Sequence, residues 1–183
     1  DIYANSRAVL NGLRITEIMY NPATDPNSEF IEVQNISDTP MNLEGVRFTD
    51  GIEFVFPHMI LDPGQYTVIV VDQTAFESCY GTQITVAGRY AGRLNNDGEM
   101  IVLKLAEPLE AAVMRFEYKN GWYPLTDGAG WSLVIKEPQG PLESWQDSRN
   151  WRQSTAAGGS PGSDDAAAIL INEILAHSHD TDP

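Results

Sequence analysis

Apolar and polar residues alternate with period two along most of the chain, the pattern of strands with one buried face. Residues 13–20 are rich in β-formers and stop at Asn21 and Pro22. Residues 29–35 follow. Their alternation sets Ile31 and Val33 on one face with Glu29, and Phe30, Glu32 and Gln34 on the other. Ile31 and Val33 are expected in the core, with Phe30 covering an edge or the opposite surface. Residues 46–56 read as a hairpin, with Asp50 and Gly51 as a two-residue type I′ turn. Pro63 and Gly64 turn the chain into residues 66–71, apolar enough for a central strand buried on both faces. Residues 74–80 offer one or two helical turns, stopped by Gly81. Residues 100–105, 113–118 and 131–136 bring the total to about nine short strands, and no long segment has a helical period. A helix-poor chain of this kind folds as a sandwich or a barrel.

Past this region the composition changes. Residues 156–165 are Ala, Gly, Ser, Pro and Asp only, which reads as a loop or linker. The apolar run then resumes at Ile169. Ile15, Glu17, Ile18 and Met19 are echoed by Ile171, Glu173, Ile174 and Leu175 at the same spacing. The expected division is a leader over residues 1–12, a sandwich domain over 13–163, and a linker with the severed first strand of a second repeat over 164–183. The alternative is that residues 169–175 are the last strand of the same domain.

Charge narrows the partners. The chain has 26 acidic and 11 basic residues, a net charge of −15. Such a surface repels phosphate backbones and anionic lipids, so neither nucleic acid nor membrane insertion is expected. Cys79 is the single cysteine, which excludes an intrachain disulfide. It is expected to be a small buried hydrophobe. Asp1 carries no signal-peptide pattern, and the chain reads as a segment cut from a longer protein.

Several positions together resemble the lamin tail domain in its bacterial form. Ile15, Glu17, Ile18, Tyr20, Asn21 and Pro22 look like its first strand and turn, and Glu29 to Val33 with Asn35 like its second strand. Leu43, Gly45, Phe48, Pro63 and Gly64 fit the segments that follow. Gly92, Leu94, Asn96 and Gly98 resemble the next turn cluster, and Gly130, Ser132 and Leu133 the late strand. Asn150, Trp151, Arg152, Ser154, Gly159, Pro161 and Gly162 look like its closing signature. Tyr123 separates Trp122 from Pro124, which the bacterial form often has adjacent, and Ser160 stands where Thr is usual. The resemblance implies an all-β, immunoglobulin-like β-sandwich that serves as a binding platform and carries no active site. It also implies a place in a multidomain exported protein. The chain lacks coiled-coil heptads and a basic localisation cluster, so a nuclear filament role does not carry over.

Glu17, Glu29 and Glu32 are the carboxylates a hydrolase could use, although Glu29 and Glu32 fall on opposite strand faces. Asp25, Asn27, Glu29 and Asp38 form an oxygen-rich neighbourhood for calcium, with an incomplete ligand set; Asn95, Asn96 and Asp97 add one carboxylate elsewhere. His177 and His179 with Asp180 and Asp182 could form a metal tract, and His58 stands alone. Trp122, Trp131 and Trp151 are expected to fill the core, and Trp145 is the best candidate for an exposed sugar or peptide platform. No nucleophile elbow, phosphate loop or dinucleotide fingerprint is present. The expectation is a non-enzymatic interaction or spacer module, outside the cytoplasm, without catalytic, cofactor or metal residues. Its partners would be other protein domains or cell-surface components. The alternative is a carbohydrate- or calcium-binding module, and a third reading is a hydrolase.

Overall fold

The computed structural model describes residues 2–165. In chain order they form α1 (Ile2–Gly12), β1 (Leu13–Met19), β2 (Phe30–Asn35), β3 (Met41–Asn42), β4 (Arg47–Asp50), β5 (Phe54–Val55) and β6 (Ile60–Leu61). Then come β7 (Tyr66–Val70), α2 (Gln73–Tyr80), β8 (Val86–Arg89), β9 (Gly98–Lys104), β10 (Ala112–Lys119), β11 (Leu133–Ile135) and β12 (Trp151–Gln153). The repeat at residues 169–175 and the histidine tract lie outside the described residues.

Two sheets face each other. One has six strands in the order β12-β11-β1-β2-β7-β8, the other four in the order β10-β9-β4-β5, and β3 pairs separately with β6. All pairings are antiparallel except β7 with β8. A parallel neighbour needs a crossover, and α2 supplies it. The main core lies between the sheets. Ile15, Ile18, Ile31, Val33, Ile69 and Leu133 meet Phe48, Ile101, Leu103, Phe116 and Tyr118 there. This is the expected immunoglobulin-like sandwich, and Ile31 and Val33 face its interior as their alternation demands.

The described residues form 12 strands where about nine were expected. β3, β6, β8 and β12 have no counterpart among the strands read from the sequence. Each is four residues or shorter, too brief to show a period. The 46–56 hairpin forms, but without a two-residue turn. Phe48 pairs with Phe54, which leaves residues 49–53 as the connection, because Asp50 is drawn into register with Val102 on β9. Phe30 does cover the opposite surface. It joins Met19, Val68, Val70 and Phe76 in a second apolar cluster on the outer face of the six-stranded sheet. α2 roofs this cluster. Asp72 caps its first turn and Gly81 closes its last at φ 84°.

Residues 2–12 form a helix, where the sequence showed only a leader. Among its described apolar side chains Val9 alone is fully buried, with Ala8 and Leu10 packed beside it, so no apolar stripe is visible. Polar contacts dock the helix. The Asn5 side chain accepts from Asn42 N and donates to Asn42 O, each at 2.8 Å, as a neighbouring strand would. Arg14 donates to the carbonyls of Leu10, Asn11 and Leu13, which satisfies the helix's C-terminal end.

Candidate functional site

β1 carries a bulge between Ile15 and Glu17. The extra residue lets Ile15 and Ile18 both face the core, with Thr16 and Glu17 between them on the outer face. Glu17 then stands directly opposite Glu32 on β2. Two acidic side chains therefore share one patch of the outer sheet face, each only 1% exposed.

Residues 155–165 lie over this patch. Ser160 N donates to Glu17 Oε1 at 3.0 Å, and Ser160 Oγ to Oε2 at 3.2 Å. Ser132 Oγ, from the start of the β11 segment, donates to Oε1 as well. Glu32 accepts from Thr16 Oγ1 at 2.5 Å and from Gly162 N at 2.6 Å. Gly159 sits so close that a Cβ there would collide with Glu17 Oε1, and its φ is 78°. Both features require glycine at this position. Residues read from composition as a linker thus belong to the folded domain.

The pair is electrostatically unusual. Burial pushes the Glu17 carboxyl up to about 7, against the hydrogen bonds from Ser132 and Ser160. Burial and then the charge of Glu17 push Glu32 up to about 8. A carboxylic acid kept partly protonated near neutral pH can be a catalytic acid. Here it has no room to act. The cavity beside Glu17 and Glu32 measures about 20 Å³, enough for one water and too small for a sugar or ester. The larger grooves, such as the one of about 680 Å³ between α1 and residues 37–40, contain neither glutamate.

Glu29 turns to the other side of the sheet. It accepts from Tyr90 Oη at 2.9 Å and Leu94 N at 3.1 Å, and pairs with Arg93 at 3.1 Å. Arg93 also donates to Asn27 and to the Pro26 carbonyl. A guanidinium therefore occupies the neighbourhood expected to attract calcium, and Asp25 is spent capping the 3₁₀ turn Pro26–Ser28. Among the described residues, no group of three or more His, Cys, Asp or Glu side chains is arranged to hold a metal.

Two other expectations are overturned. Trp145 is 1% exposed and forms no platform. It belongs to the 3₁₀ segment Leu142–Gln146, and its Nε1 donates to Ile15 O at 2.9 Å. The short β11 pairs with β1 only at Glu17 and Ile18, which leaves the Ile15 carbonyl for the indole to satisfy. Cys79 is exposed. Phe76 and Tyr80, one helical turn apart, take the buried side of α2 against Phe30. His58 is exposed and pairs with Glu44 at 3.0 Å.

The sequence matches the lamin tail domain model over residues 6–120. The chain belongs to the lamin tail domain family. No curated protein matches it. A lamin tail domain is immunoglobulin-like and typically a protein-interaction module. In this lamin tail domain the packing continues past Asn120. Trp151 stacks on Phe116 with ring centres 5.5 Å apart, β11 and β12 extend the sheet beyond β1, and residues 159–162 close over the glutamates.

Proposed function

We propose that the chain is a non-catalytic interaction and spacing module of a larger, exported bacterial protein, with other protein domains or cell-surface components as partners. The observation that carries this reading is the closure of the buried glutamates. The side chains best tuned for acid–base chemistry are spent holding a loop to the sheet, with space beside them for only one water. What remains to act is the outer surface of a rigid sandwich. Tandem use is supported by the bulged first strand. Ile-x-Glu-Ile breaks strict alternation because two residues must fit between two core isoleucines, and the same spacing recurs at Ile171 to Ile174. The acidic surplus, net −15, favours basic surfaces as partners.

Location and cofactor use are both testable. Protease added to intact source cells should digest the domain, or it should be recovered from the medium. Recovery solely from the cell interior contradicts the reading. Thermal melting of the domain with millimolar calcium and with EDTA should give the same midpoint. A rise with calcium that EDTA reverses favours the calcium-binding alternative.

A further inference from the structure

Residues 155–165 form a loop whose ends meet. Asp165 accepts from Thr155 N at 3.0 Å and pairs with Arg152 at 3.0 Å. The tip descends on the sheet through the amides of Ser160 and Gly162, which bind Glu17 and Glu32. The ends and the tip are therefore held by separate groups.

The surroundings of the pair are one-sided. β7 contributes Tyr66, α2 contributes Tyr80, and the loop contributes Asp164 and Asp165. β11 and the residue before it contribute Val134 and Ser132, which carry no charge. Arg152 on β12 is engaged by Asp165. Among the described residues no Lys, Arg or His forms an ion pair with Glu17 or Glu32. If both carboxylates ionise, nothing nearby compensates them. The strain has two outlets: one carboxyl keeps its proton, or water reaches the pair. The strands cannot part without breaking the β1–β2 ladder, so water must enter from the loop side.

We propose that residues 156–164 are a pH-gated lid, closed over Glu17 and Glu32 in mildly acidic solution and lifting from the sheet as the solution turns alkaline. Three left-handed glycines, Gly158, Gly159 and Gly162, give the lid its fold and its pivots. Lifting exposes the outer face around Thr16, Glu32 and Val134 while the Asp165–Arg152 clasp keeps the loop's ends in place.

Hydrogen exchange on the 183-residue chain, corrected for base catalysis, tests this between about pH 5 and 9. The amides of Ser160 and Gly162 should lose at least about tenfold in protection between about pH 6 and 8, then level off. The amides of Ile31 and Val33 should keep theirs. Glu32→Gln should abolish the loss, because its amide oxygen still accepts from Gly162 N without charge. Undiminished protection of the lid at pH 8.5, loss in step with Ile31 and Val33, or the same loss in Glu32→Gln would each overturn the proposal. If Glu32→Gln does not fold, comparing lid and ladder in the unsubstituted chain decides alone.

Discussion

Glu17 and Glu32 set the stability of the domain as a function of pH. Both folded-state values, about 7 and about 8, lie above the ordinary 4.5. The folded state therefore binds more protons than the unfolded chain between these limits, and stability falls as pH rises. The contribution is complete below about pH 4.5 and is lost by about pH 8, on the order of a few kcal/mol in all. Urea denaturation at about pH 5.5 and 8 should show this decline, and Glu32→Gln should flatten it and raise the midpoint at pH 8. A midpoint that rises towards pH 8 contradicts the assignment. At the acid end, burial pushes Asp165 up, but Thr155 and Arg152 outweigh it and hold its carboxyl below the usual range. Gly159→Ala combines a left-handed φ with a collision at Glu17, and should cost about 2 kcal/mol or more. A midpoint unchanged within error would show that the lid has space to spare.

At the scale of elements, Trp145 shows how a short piece can govern a strand. Its indole supplies the hydrogen bond that β11 is too short to give at Ile15. Trp145→Phe retains most of the buried area and loses the donor, at about 1–3 kcal/mol. Trp145→Ala adds a cavity and should cost about 3–5 kcal/mol. Thermal melting of the two variants separates these contributions, and equal losses would deny the indole donor a role of its own. The same residue marks where sequence reading reached its limit. The main strands and α2 were legible because each is long enough to show its period or is closed by a glycine. Trp145 lies in a polar-looking stretch, Glu143 to Ser148, and its burial depends on a carbonyl 130 positions away. α1 was hidden for a related reason, since Asn5 and Arg14 dock it through polar groups and Val9 alone is fully buried among its described apolar side chains. Glu17 and Glu32 are plain in the sequence as carboxylates, but their cover comes from residues whose composition resembles a flexible linker. The signal that could have found it is the pair of polar positions between Ile15 and Ile18. Those positions imply a bulge and an outward Glu17 beside Glu32.

For the whole molecule, the lamin tail domain match stops at Asn120 while the packed structure continues to Asp165. A chain ending at Asn120 would lose β11, β12, both core tryptophans and the cover of Glu17 and Glu32. It should show no cooperative melting transition, whereas a chain ending at Asp165 should melt as one unit. A cooperative transition in the shorter chain would assign residues 121–165 to decoration. The two apolar clusters divide the work accordingly. The larger joins the two sheets, and the smaller fixes α2 on the outer face beside the lid.

The clasp between Arg152 and Asp165 also settles where tension would enter the domain. Asp165 is held immediately beside the point at which the loop begins. A pull applied at Asp165 is therefore borne first by a guanidinium and a backbone amide at a sheet edge. Force at that residue would load β12 through Arg152 before it reached the tip of the loop at Ser160 and Gly162.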